Sequence, residues 1–234
     1  MGEHLTIADS KRAFHSAFPH VIPSLYRRTA DELLVELHLL SHQKFFKADA
    51  LFAVGLNQVF NAFTQGYRPD QHRKPLFMAL CSCNGFDGEE LIKLAEDSES
   101  AVEGHSVEDV QGWVREKGAG APEAMAKALD QANQPNFHYS RLMAVGVLTL
   151  LAKAQGEQSS DPAELAKLAH ELSEPLGMTK DRVEKDLGIY NRNLERMAQA
   201  VELMEETLAA ERRKRERQDD TTQSQEAPAT GSES

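Results

Sequence analysis

The segment Tyr26 to Gln43, YRRTADELLVELHLLSHQ, is the strongest constraint this sequence places on its own folding. Leu33, Leu34, Leu37 and Leu40 recur at helical spacing, with Leu25 upstream, and mark the buried face of an amphipathic helix. The other face holds Arg27, Arg28, Asp31, Glu32 and Glu36. The pairs Arg27–Asp31, Arg28–Asp31 and Arg28–Glu32 lie three or four apart, so that face can satisfy its own charges. Pro23 stands where a helix can begin, because a first turn has no use for the missing N–H. Val35, Leu39 and Phe45 widen the apolar arc, which predicts cover on more than one side. On this reading the rest of the chain is organised around that helix.

The flanking sequence reads as further helices. Thr6 to Ala17 opens with Thr6-x-x-Asp9, a capping box. Asp49 to Gln65 carries Leu51, Phe52, Leu56, Val59, Phe60 and Phe63 on one face, and Gly66 with Pro69 stops it. Arg73 to Cys83 follows. Asp87 then caps a helix over 88–99, with Glu89 and Glu90 suited to its first turn. Residues 98–122 are the weakest stretch, interrupted by Gly104, Gly112, Gly118 and Gly120. Within it Ser106 and Asp109 form a second capping box, and Val107, Val110 and Val114 support a helix to Arg115 that Trp113 anchors. Helices over 122–132, 139–155 and, capped by Asp161, to Glu174 complete the body.

From Thr179 the period changes. Val183, Leu187, Tyr190, Leu194, Met197, Val201, Met204 and Leu208 alternate spacings of 4 and 3, a heptad seam. A helix from Thr179 to Ala210 would run roughly 48 Å at 1.5 Å per residue, past the globular body. No strand-like alternation and no internal repeat is present. The expected fold is all-α: a helical bundle over residues 6–177, a long coiled-coil-like helix over 178–215, packed on or projecting from the bundle, and a disordered tail over 216–234.

Charge and composition exclude several functions. A net charge of −11 argues against binding nucleic acid through its phosphates. The one basic run, ERRKRER at 211–217, contains two Glu and reads as a solvated helix end, with contact to lipid headgroups left open. The longest apolar run, Leu142 to Ala154, is too short to span a bilayer. The N-terminus has neither a secretory nor a transit pattern, and Cys81-x-Cys83 is no disulfide framework, so a reducing compartment is expected.

Candidate chemistry is sparse. His38 and His42, one turn apart, could face one metal ion. A zincin would need Glu at position 39, where Leu39 stands, and Glu36 or Asp31 could join only through folding. The simpler reading is a polar histidine at a helix seam. Cys81 and Cys83 read as small buried thiols rather than a redox or metal pair. Ser140-Arg141 and Tyr190-Asn191-Arg192 bring polar groups into apolar helices, as a pocket or as a cap and a solvent-facing side chain. Tyr26-Arg27 and Tyr67-Arg68 read as an inter-helix seam or an exposed recognition patch. Paired acids such as Glu89–Glu90, Glu171–Glu174 and Glu205–Glu206 are helix-surface runs. No catalytic, cofactor-binding or metal residue is assigned, and no cofactor or enzymatic activity is expected.

The segments TIADSKRAFHSAFP, YRRTADELLVELHLLS, QGYRPD, YSRLMAVGVLTLL and KDLGIYNRNLERMAQAVELMEE resemble the thylakoid-formation family of cyanobacteria and plastids, over about residues 6 to 206. The resemblance is to a cyanobacterial member. It implies a non-enzymatic factor for photosystem II biogenesis and repair and for thylakoid formation. It further implies binding to, and support of, FtsH membrane protease complexes, with photosystem II subunits or assembly intermediates as further partners. The implied location is peripheral, on the cytoplasmic side of the thylakoid membrane, with a soluble pool. The residues themselves keep a homo-oligomeric coiled-coil scaffold as an alternative, and the resemblance implies a direct photosystem II assembly factor as another.

Overall fold

Local capping chemistry starts five of the helices. The computed structural model describes the backbone of residues 5–156 and 162–225, and the side chains of residues 5–156 and 167–214. Thr6 accepts from Asp9 N, and Asp9 reaches back to Thr6 N at 2.9 Å, opening α1 (Ile7–Ala17). Helix α2 (Ser24–Ser41) follows Pro23, and α3 (Ala50–Phe63) starts on Asp49, whose Oδ1 accepts from Phe52 N at 3.0 Å. A 3-10 turn at Asp70–His72 leads into α4 (Arg73–Ser82). Asp87 accepts from Glu89 N and Glu90 N to open α5 (Gly88–Val102). Ser106 and Asp109 form the reciprocal box of α6 (Val107–Arg115). Then come α7 (Glu123–Ala132) and α8 (Arg141–Gln155), the latter capped by Ser140. Helices α9 (Pro162–Ser173) and α10 (Lys180–Gln225) close the chain. The described residues are all-α.

Helix α3, rather than α2, holds the centre. Its sequence ALFAVGLNQVFNAF carries no charge, and residues Ala50 to Leu56, Val59, Phe60 and Phe63 are all buried. It packs against α5, α7 and α8. The crossing with α8 is a backbone contact. A Cβ built on Gly55 would stand 1.7 Å from Leu142 O, and one on Gly146 would stand 2.0 Å from Leu51 O. Only hydrogen fits at those two positions, so the helices meet closer than side chains normally permit. The signal for this centre is the absence of charge, which a search for one-sided periodicity passes over.

Helix α2 packs on α1 and α4 through Leu33, Leu34, Leu37 and Leu40. Among the described residues, the expected second layer of cover over its wider arc is missing. Val35, Leu39 and Phe45 remain 37%, 57% and 47% exposed. Of the three expected charge pairs on the outer face, Arg28–Glu32 forms at 2.8 Å, while Arg27 donates instead to Ile22 O.

Two compact units divide the chain at Leu194/Glu195, inside α10. In the first unit, Val183, Leu187 and Tyr190 are buried, and the Tyr190 ring meets Phe63 edge-on at 5.9 Å. The second unit is the remainder of α10. Its helical backbone continues to Gln225, beyond the expected end at 215 and into the segment read as disordered. Neither Gly nor Pro occurs between Gly188 and Pro228, so no residue in that interval breaks a helix. Residues 226–234, the rest of the expected tail, and the expected Asp161 cap lie outside the described residues.

Candidate interaction site

Polar side chains gather in the first unit where α2, the start of α8 and the first turns of α10 meet. Arg141 donates to Glu36 Oε2 through Nε at 2.8 Å, with Nη2 at 2.7 Å. Ser140 both caps α8 and reaches Glu36 Oε1 at 3.5 Å. Tyr139 donates its hydroxyl to Asp186 Oδ2 at 2.9 Å, and the Arg182 guanidinium lies 4.9 Å from the Tyr139 ring centre. Burial and the neighbouring Asp186 carboxylate push the Tyr139 phenol well above its ordinary range, so it stays a donor. Burial works against the Arg141 cation, but its hydrogen bond and charge pairing with Glu36 outweigh it and raise that pKa. Each charged group is matched, so the cluster acts as a clasp that orders α10's first turns. Ser140 is thus a cap, as its sequence position suggests. Tyr139 and Asp186 carry the clasp without any sequence signal, because their partners are 47 residues apart.

The remaining candidates settle into structural roles. His38 is 9% exposed, and its Nδ1 pairs with Ser10 Oγ at 2.9 Å. Desolvation holds its pKa below the ordinary histidine value, which keeps it neutral. His42 Nδ1 donates to His38 O at 2.8 Å, one turn back. This is the histidine at a helix seam, both Nδ1 atoms being engaged within the fold. Cys81 and Cys83 are buried, and burial pushes their thiols up to about 12 and about 11. At those values neither is a nucleophile near neutrality. The rings of Tyr26 and Tyr67 are 5.0 Å apart and each is 1% exposed, with Tyr26 donating to Gln65 O at 3.0 Å. Arg27 and Arg68 turn outward. The aromatic half of that motif is therefore seam and the cationic half surface.

Among the described residues, two apolar surfaces stay open. One is Val35 and Leu39 of α2 with Phe45 in the turn that follows it. The other, in the second unit, is the continuation of the heptad seam. Met197, Val201 and Met204 are half-buried and Leu208 is 43% exposed. Such faces suit binding rather than chemistry. No helix among the described residues is long and apolar enough to cross a membrane.

Comparison with known proteins agrees with the fold. A family model described as thylakoid formation protein matches residues 6–219. The Thf1 protein of Prochlorococcus marinus strain MIT 9313 is 64% identical over 217 residues, covering 92% of this chain and 89% of its own. That of Parasynechococcus marenigrum strain WH8102 is 55% identical over 93% and 95% of the two chains. The solved 1.55 Å structure of Psb29 superposes with a TM-score of 0.77 at 33% identity, over 90% of this chain and 98% of that one.

Proposed function

The chain belongs to the thylakoid formation protein family, and from that premise we propose that it supports photosystem II biogenesis and repair by binding FtsH membrane protease complexes. The family is named for thylakoid formation and not for a reaction. The observation that carries a binding role is the open seam of α10, four apolar positions from Met197 to Leu208 without cover in their own unit. A face of that kind takes a helix from another protein. The membrane protease is the partner that the family's part in photosystem II repair suggests. Attachment at the thylakoid is then peripheral, on the cytoplasmic side, with a soluble pool.

Affinity purification of the tagged full chain from gently solubilised thylakoids, followed by mass spectrometry, tests this. FtsH subunits recovered well above an untagged control are the expected result. Photosystem II subunits without FtsH would replace the reading by direct assembly. Recovery of the chain alone would favour a self-associating scaffold and overturn it.

A further inference from the structure

We infer that the turn Lys44-Phe45-Phe46-Lys47, between α2 and α3, is the contact this protein makes with a lipid bilayer carrying anionic headgroups. The inference deepens the peripheral attachment proposed above, rests on that reading for the membrane concerned, and needs no protein partner.

The turn has a fixed inside and outside. Phe46 N–H donates to Gln43 O at 3.1 Å, and Asp49 N–H to Lys47 O at 3.0 Å. The Phe46 ring is turned inward, edge-on to Phe52 at 4.9 Å and to Phe86 at 6.2 Å. With that ring held, its neighbour Phe45 is left half-exposed between two exposed lysines. Lys44 Nζ lies 5.3 Å from the centre of the Phe45 ring. Leu39, in the last turn of α2, is exposed as well. A single exposed apolar side chain is ordinary. A phenylalanine framed by two lysines on an ordered turn is an interfacial anchor: the ring enters the boundary between headgroups and acyl chains, and the ammonium groups stay at the anionic headgroups.

Charge selects this occupant. From Leu37 to Ala48 the chain carries Lys44 and Lys47 and neither Asp nor Glu, although its net charge is −11. Most acids of the adjoining elements are engaged: Asp9 with Arg12, Asp49 as the cap of α3, Asp87 as the cap of α5, and Glu89 with Lys74 at 2.9 Å. Glu90, in the first turn of α5, is the exception. Screening confines the pull of a charged surface to about 8 Å at physiological ionic strength, so the lysines beside the contact act and distant acids do not. Size disfavours a protein in the same place. A stable protein interface needs ~800 Å² on each side, whereas a half-exposed phenylalanine offers on the order of 100 Å². A bilayer sets no such minimum, because attachment grows with each apolar side chain and each lysine.

The test is flotation of the purified full chain with vesicles of phosphatidylcholine, alone or mixed with phosphatidylglycerol. Partitioning into the mixed vesicles should exceed that into the neutral ones by at least about tenfold and fall as salt rises. Replacing Lys44→Gln and Lys47→Gln should lower it by about fivefold per lysine, and Phe45→Ser by at least about tenfold. Val21→Ser, at an exposed apolar residue of the α1–α2 turn, should change nothing. All these side chains are exposed, and circular dichroism checks that each variant is folded. In Phe45→Trp the new indole should shift to the blue on mixed vesicles and be quenched by brominated acyl chains, against the constant signal of buried Trp113. Equal partitioning into both vesicles, or none into either, overturns the inference. So does a Phe45→Ser or double-lysine variant that binds like the parent, which would move the contact elsewhere, for example to the basic run at 211–217. Vesicle binding without FtsH recovery from thylakoids keeps the turn and removes only the protease as partner. FtsH recovery by a chain that ignores the vesicles overturns the turn and keeps the protease.

Discussion

A single methyl group tests the centre of the bundle. Gly146→Ala would set its Cβ 2.0 Å from Leu51 O, a backbone atom that cannot swing aside. The expected loss is on the order of 3 kcal/mol or more in denaturant unfolding, as for overpacked cores. Gly112 in α6 is the control, since nothing lies within 4 Å of its Cβ position. Gly112→Ala should raise stability by about 0.5–1 kcal/mol. Asp49 supplies a pH signature. Burial raises its carboxyl to about 6, against its N-cap bonds to Phe52 and Leu51, and Oδ2 has no hydrogen-bond partner. A folded pKa above the unfolded value means that the stabilising contribution of Asp49 is complete below about pH 4, falls as pH rises through 6, and is absent above. Asp49→Asn keeps a capping oxygen and removes the ionisation. The variant should gain on the wild type by on the order of 2 kcal/mol at pH 7 and by nothing near pH 4, read from urea midpoints across that range. The sequence identifies Asp49 as a helix start, but its strained ionisation comes from the packing around it.

At the scale of elements, α10 contains two regimes in one uninterrupted helix. Leu187 is 2% exposed and Leu208 43%, though both sit on the same heptad seam. Leu187→Ala should therefore cost about 2–4 kcal/mol, and Leu208→Ala less than about 0.5 kcal/mol, by thermal or urea unfolding. Equal losses would show that the seam is covered along its whole length. The clasp at the base of α10 gives a second expectation. Tyr139→Phe removes one hydrogen bond to Asp186 and should cost about 1 kcal/mol. Arg141→Met leaves Glu36, whose side chain is 15% exposed, without its ion partner. That loss should be larger, on the order of 2 kcal/mol, and it should be partly restored when Glu36→Gln is added, because the unpaired charge is then gone. Capping chemistry was legible for α1, α5, α6 and α8, since a cap is decided within three residues of chain. The clasp was not, because it joins α2, α8 and α10 across separations of 47 and 105 residues.

For the whole molecule, protection should follow packing. Amides of α3 and α8 are expected to exchange slowest with deuterated solvent, and those of residues 195–214 much faster, because a stretch with few buried side chains opens without disturbing a core. Uniform protection through α10 would contradict an open seam. The sequence by itself determined the all-α class, the order and approximate limits of the helices, the heptad seam and the family, because caps, periodicity and motif identity are properties of short stretches. It named α2 as the organising element, since one-sided amphipathicity is what periodicity detects. Only the tertiary structure placed the uncharged α3 at the centre, where Gly55 and Gly146 bring two backbones together. Only the tertiary structure left Val35, Leu39 and Phe45 uncovered. The physical reason is the same in both cases: a side chain's pattern says which face prefers to be buried, while which neighbour arrives to bury it depends on contacts between segments far apart in the chain.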